Sequence, residues 1–257
     1  MISQINDGLV TIALTMMRPL GLTLLFPLLQ IGSLGSSLIR NAILLAITFP
    51  MLPIIYAQPI VHQGWGWISV IPGEMIIGLL LGFCAAIPFW AVDMAGFLID
   101  TLRGATMGTV FNPAMSVQTS IFGLLFSQFL CALFFISGGF NLLLSALYTS
   151  YHYFPVGKTM VFDRAFLDFL LAEWQVLYQL CLSFSLPAVL SMVLADLALG
   201  LLNRSAQQLN VFFLSMPIKS VLALFLLLLS LPYAFHRYQQ ESEVLYRHVS
   251  QWLATHE

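Results

Sequence analysis

The chain has 257 residues, with nine Lys or Arg and eleven Asp or Glu, so charged side chains make up 8% against roughly 25% in an ordinary soluble domain. A hydrophobic content of 60% and a mean hydropathy of +0.93 exclude intrinsic disorder and the usual water-facing surface. A formal net charge of −2 with no Lys/Arg patch argues against nucleic acid as a partner.

What remains is a chain that crosses a membrane several times, or one whose apolar surface other subunits cover. A bilayer-spanning helix needs roughly 20 apolar residues at about 1.5 Å each. On that ruler the uncharged stretches predict six main helices, near 8–30, 41–57, 72–99, 117–150, 174–202 and 211–236. Met1–Asp7 lacks Lys and Arg and no small-residue cleavage site follows the first apolar run, so a cleavable signal is not expected. Gly32, Gly35 and the serines between Ser33 and Ser37 mark the first turn, and Gln58 to Trp67 the second. The fourth apolar run is too long for one span, and Gly138-Gly139 is where it should bend. Phe154 to Gly157 ends it, and Lys158–Glu173 has the composition of a soluble loop. After residue 236 the character changes: Val244, Leu245, Val249, Trp252 and Leu253 recur at helical spacing and predict an amphipathic tail over 237–257. The expected organisation is one helical domain over 1–236 followed by that tail.

Assigning the connections to alternate sides puts Lys158, Arg164, Arg237 and Arg247 on one face of the membrane and Arg40, Arg103 and Arg204 on the other. That is no positive-inside bias. Ionisable residues also stand inside or at the edges of the apolar helices: Arg18, Glu74, Asp93, Asp100, Arg103, Asp196, Arg204 and Lys219. Each would cost roughly 2.5–3.5 kcal/mol at a bilayer centre, so each should pair or face water. Asp100 and Arg103, three apart, can pair on one helical face. Asp196 and Arg204, about 12 Å apart along a helix, should reach different partners. Two readings stand for the set: interhelical pairing that fixes assembly, or the lining of a polar passage. A short internal echo links Glu74-Met-Ile-Ile-Gly78-Leu-Leu with Asp196-Leu-Ala-Leu-Gly200-Leu-Leu. Gly78, Gly82 and Gly200 are accordingly expected at close helix crossings.

Gly104 to Ser120 is the most unusual stretch, without charge but with Gly108, Asn112-Pro113 and several small hydroxyl residues between strongly helical segments. Non-helical backbone at membrane depth is tolerated only inside protein or along a watery cavity. The segment reads as a re-entrant or constriction loop with Met107, Val110, Phe111 and Met115 as apolar stoppers, or else as an ordinary surface loop. Cys84, Cys131 and Cys181 lie in apolar runs and read as buried thiols. There is no HExxH, no paired-glutamate metal motif, no GxSxG and no phosphate loop, so neither an enzyme nor a metal or cofactor site is expected.

Three stretches carry a family resemblance: Pro72-Gly-Glu-Met-Ile-Ile-Gly-Leu-Leu-Leu-Gly-Phe83, Met107-Gly-Thr-Val-Phe-Asn-Pro113, and the run from Leu199 to Lys219. With them the chain resembles, over nearly its whole length, the SctT/FliR family of type III secretion and flagellar export apparatus, and the virulence-type SctT branch more than the flagellar one. Ala206-Gln207 departs from the Pro-Gln common in the family. The resemblance implies an all-α, multi-pass chain of broken helical hairpins, an SctR-like part followed by an SctS-like part. It implies one copy of this chain among SctR-like and SctS-like subunits, with an SctU-like protein near the cytoplasmic entrance. The assembly would sit in the bacterial inner membrane, partly raised toward the periplasm, and pass unfolded secreted proteins. It further implies that the 104–120 loop is a plug, so Gly104, Met107, Gly108, Val110, Phe111, Asn112, Pro113 and Met115 become gate residues. Arg18, Glu74, Asp100, Arg103, Asp196, Arg204 and Lys219 become packing or pathway charges. Two other functions stay open: a small-solute secondary transporter using Glu74 and Asp196 as coupling sites, and a purely structural scaffold of the apparatus.

Overall fold

The computed structural model describes residues 2–29, 37–56, 64–105, 120–157, 164–205 and 213–229. Every regular element among them is helical. Helix α1 (Ile2–Leu25) is followed by a 3-10 turn at Pro27–Leu29. Helices α2 (Ser37–Thr48) and α3 (Leu52–Tyr56) are joined by the 3-10 turn Phe49–Met51, which carries Pro50. A 3-10 stretch at Gly64–Val70 runs into α4 (Ile71–Leu102). Then come α5 (Ile121–Ile136), α6 (Gly139–Tyr153), α7 (Arg164–Ser205) and α8 (Phe213–Leu229).

Gly8–Leu25, Ser37–Tyr56, Trp67–Leu102 and Arg164–Ser205 are each long and apolar enough to cross a membrane, and α5 with α6 makes a fifth, bent by 69°. The protein is an all-α, multi-pass membrane protein. The bend falls at Gly138, whose φ of +78° is a left-handed conformation that glycine adopts without steric cost. Its N–H donates to the Phe135 carbonyl at 3.2 Å and its carbonyl accepts the Leu142 N–H at 3.2 Å, so one residue closes α5 and opens α6. The fifth apolar run differs from expectation: α7 begins at Arg164, and most of the expected loop Lys158–Glu173 is helix. The reason is a helical stripe hidden by the polar composition. Phe166, Glu173, Leu177 and Leu180 are buried at intervals of seven, four and three, while Arg164 and Asp168 face outward.

The chain divides into two compact units, and α4 passes from one to the other at Pro88. Among the described residues the first unit holds α1 to α3, α4 up to Ile87, and Phe134–Glu173. Within it α1 and α4 cross backbone to backbone. A Cβ on Gly21 would lie 2.5 Å from the Met75 carbonyl oxygen, one on Gly82 would lie 2.5 Å from that of Leu22, and one on Gly78 would overlap the Arg18 carbonyl. In lipid, where water exclusion does not drive helices together, such close van der Waals packing is a main attractive term. The Tyr148 hydroxyl of α6 reaches the Ile47 carbonyl at 3.1 Å, and Phe26 packs against Phe134 with ring centroids 5.5 Å apart.

The second unit runs from Pro88 to Leu133 and onward from Trp174. Ile99, Phe122, Ala188, Met192, Ala223 and Leu227 form its buried core, with Leu102 and Phe126 packed against it. Here α4 and α5 cross at glycines, because a Cβ on Gly96 would fall on the backbone of Gly123.

Candidate functional site

Arg18 is the largest fully buried side chain of the first unit and lies within an apolar helix, so its charge has to be matched inside the protein. Its Nε donates to Glu74 Oε2 at 2.5 Å and its Nη2 to Glu74 Oε1 at 3.2 Å, a two-point contact suited to a guanidinium and a carboxylate. Nη1 donates to Ser150 Oγ at 3.1 Å, and Nη2 also donates to the Phe154 carbonyl at the end of α6. The Tyr151 ring lies under the guanidinium, 4.2 Å from Cζ to centroid. Glu74 is 1% exposed, so the pair is sealed from solvent. Sequence supplies part of the explanation. Pro19 lacks the N–H that would have bonded the Thr15 carbonyl four residues earlier, and the Tyr151 hydroxyl donates to that carbonyl instead at 3.1 Å. The cluster thus ties α1, α4 and α6 together through polar atoms that lipid could not satisfy.

In the second unit the two flanks of the 106–119 stretch meet at one carboxylate. Asp100, 2% exposed, accepts the Arg103 Nε–H at 2.7 Å on Oδ1. Its Oδ2 accepts the Ser120 hydroxyl at 2.8 Å and the Phe122 backbone N–H at 3.1 Å. Ser120 is itself the N-cap of α5, its Oγ accepting the Gly123 N–H at 2.8 Å. A negative side chain at a helix N-terminus is also favoured by the helix dipole. Arg103 completes the arrangement with its guanidinium 4.6 Å from the centre of the Phe122 ring.

The other flank is closed by backbone geometry. Ala105 N–H bonds the Asp100 carbonyl at 3.0 Å and Gly104 N–H bonds that of Thr101 at 3.1 Å, the two bonds of a Schellman motif. Gly104 takes φ +87°, as the C′ residue of that motif requires. Lys219 of α8 donates to the Leu102 carbonyl at 3.2 Å, a cation at a helix C-terminus, and pairs with Asp196 of α7 at 2.5 Å. Residues 100 to 105 and 120 to 123 therefore form a built, polar base.

The remaining candidate residues are scattered. Arg204 is exposed near the end of α7, and a Cβ on Gly200 would meet nothing within 4 Å. Asp93 is exposed on α4. Met107, Gly108, Val110, Phe111, Asn112, Pro113 and Met115, with the 237–257 tail, lie outside the described residues. Among the described residues no three His, Cys, Asp or Glu side chains converge as metal ligands would. Ser120, Ser150 and Tyr151 are functional neighbours that the pattern of charges and motifs in the sequence does not single out. A serine directly before the apolar run Ile121–Phe122 is an N-cap signal, so Ser120 was within reach; Ser150 and Tyr151 carry no local mark of their role.

Comparison with known proteins agrees with the whole-length resemblance. The family model described as bacterial export proteins, family 1, matches residues 9–244. The chain is 60% identical over 255 residues to the secretion system apparatus protein SsaT of Salmonella typhimurium, covering 98% of each. It is 37% identical over 227 residues to the Yop proteins translocation protein T of Yersinia pestis, covering 88% of this chain and 87% of that one. Against the flagellar biosynthetic protein FliR of Bacillus subtilis the identity is 31% over 165 residues, 63% of each chain. The family is a structural component of export apparatus and not an enzyme family. The chain belongs to this family of bacterial export proteins, the SctT/FliR family, on the side of its virulence-type members.

Proposed function

We propose that this protein is a subunit of a type III secretion export gate, forming part of the channel through which unfolded proteins cross the bacterial inner membrane, and that residues 104–120 act as a plug that helps keep the channel closed. Its partners are SctR-like and SctS-like subunits, with one copy of this chain per assembly, and an SctU-like protein near the cytoplasmic entrance. The assembly is partly raised toward the periplasm. The similarity to secretion and flagellar export proteins supports the gate reading. Helix lengths support the raised position: α7 has 42 residues, roughly 63 Å of helix, against a hydrocarbon core of about 30 Å.

The observation that carries the plug is the shared base at Asp100. An export gate must pass an extended polypeptide yet hold back ions when idle. A stopper can do this only if its ends are anchored while its apolar tip yields. The Asp100–Ser120–Phe122 contacts and the Gly104 Schellman motif provide anchored ends. Met107, Val110, Phe111 and Met115 then seal the passage by contact and dewetting. The transporter reading loses support, because Glu74 is enclosed with Arg18 and Asp196 is paired with Lys219. Glu74 is sealed from solvent, and Asp196, although half exposed, has its charge matched by Lys219.

Replacing Met107, Val110, Phe111 and Met115 together by glycine should let small solutes leak through membranes that carry the assembled apparatus. Unchanged permeability with normal assembly would remove the plug role.

A further inference from the structure

Asp93 is an ionisable residue inside an apolar helix that the clusters above do not absorb. It stands nine residues before Leu102, roughly 14 Å along α4 from the end of the helix. Among the described residues no salt bridge is formed by Asp93, and its residue is exposed. The surface around it is largely apolar. Met94, Phe97 and Leu98 are exposed on the same side of α4, and Ile121, Leu124, Leu125 and Phe129 are exposed on α5, with Gln128 as a polar residue among them. The carboxylate lies at the seam between the two helices: a Cβ on Gly123 would come within 2.6 Å of Asp93 Oδ1. Gly96 and Gly123, by bringing the backbones together, leave the room in which this side chain sits.

An apolar two-helix surface alone would suit acyl chains. A carboxylate set into its seam does not, because lipid offers no counter-charge and no hydrogen-bond donor. The same face is flanked by Phe and Leu on both helices, and the hydroxyl nearest the carboxylate, that of Ser120, already donates to Asp100, so the face is also a poor match for the wall of a water-filled passage. A third environment satisfies both features: a second apolar helix that covers the stripe and brings a cation to the seam. We infer that the α4–α5 face around Asp93 is a docking surface for a transmembrane helix of another subunit, which presents a Lys or Arg side chain to the Asp93 carboxylate. This rests on the multi-subunit part of the proposed function and is independent of the plug.

The test uses the full chain in its assembled apparatus. Asp93→Leu would be neutral or favourable against lipid, but against a partner it strands a buried cation. Co-purification of Asp93→Leu with the other membrane subunits should fall by roughly 30-fold or more while its level in the membrane is kept. Charge reversal should behave likewise, and Asp93→Lys should regain assembly when the facing cation of the partner is replaced by Asp. A photo-crosslinker at Met94 or Phe97 in the otherwise unaltered chain locates that cation, and it should capture a helix carrying Lys or Arg at the matching depth. This second measurement decides the matter if Asp93→Leu fails to accumulate. The inference is overturned if Asp93→Leu assembles normally, if the crosslinker captures only lipid, or if Asp93→Cys in the assembled complex reacts with a water-soluble maleimide. If the unaltered chain joins no other subunit, the gate reading falls together with it; if it assembles and only these outcomes fail, the gate reading stands.

Discussion

Arg18 illustrates what a single charge does inside an apolar helix. Fully buried and engaged by Glu74, Ser150, Tyr151 and the Phe154 carbonyl, it links segments 56 and 132 residues apart. The pair is a poor source of net stability, since desolvating two ions offsets much of their attraction. Its consequence lies in what happens when one partner is lost. Glu74→Leu leaves a buried guanidinium without its counter-charge, a loss on the order of 3–5 kcal/mol. Arg18→Met combined with Glu74→Leu should recover much of that loss, because no charge is then left alone. The check is the thermal unfolding midpoint of the detergent-purified assembly in a double-mutant cycle; equal midpoints for the single and double variants would refute the coupling. Lys219 has a different character. It is held by one exposed carboxylate and one carbonyl, so its removal should be much milder.

The informative unit of the element scale is a helix end. The C-terminus of α4 and the N-terminus of α5 are usually treated as separate boundaries, yet Asp100 serves both: its backbone carbonyl closes the Schellman motif and its carboxylate caps the next helix. Asp100→Ala removes acceptors from Ser120, Phe122 and Arg103 at once. If the 104–120 segment is the plug, this variant should assemble but conduct ions in planar bilayers or vesicles at rest. Assembly with an unchanged closed state would mean that the base has no part in sealing. Glycine crossings act at the same scale. Gly78, Gly82 and Gly96 each sit where a neighbouring backbone occupies the place of a side chain, whereas Gly200 has open space around it. The sequence echo between Glu74–Leu80 and Asp196–Leu202 therefore hides two unlike environments.

For the whole molecule the exposed apolar surface decides the expectation. In an apolar 18-residue stretch of each helix, 22% of the residues are buried in α7 against 61% in the span that contains α4. A helix of 42 residues with Leu190, Leu194, Leu197 and Leu201 outward is longer than a bilayer and needs a cover that lipid alone does not provide along its length. Expressed by itself, the chain should be degraded within a short pulse-chase, and co-expression with the other membrane subunits of the apparatus should lengthen its half-life several-fold. A stable, monodisperse monomer in detergent would contradict this.

Much of the architecture is legible in the sequence. Apolar run length, the scarcity of charge and the breakers at Gly138 and Gly104 are one-dimensional signals, because helices are bonded within four residues and their ends obey local rules. The Asp100–Arg103 pair, three residues apart, belongs to the same class. The start of α7 is not visible in composition, because the polar residues over 158–173 mask a stripe whose spacing is helical. Composition could not reveal that Arg18 would meet Glu74 and Ser150, that Lys219 would cap Leu102, or that Asp93 would be left facing outward at the α4–α5 seam. Those outcomes depend on which helix faces touch across tens of residues of chain. Run length and periodicity established an all-helical membrane chain with a broken fourth segment, whereas the fate of each embedded charge was settled only by packing, since a charge finds its partner in space and not in sequence.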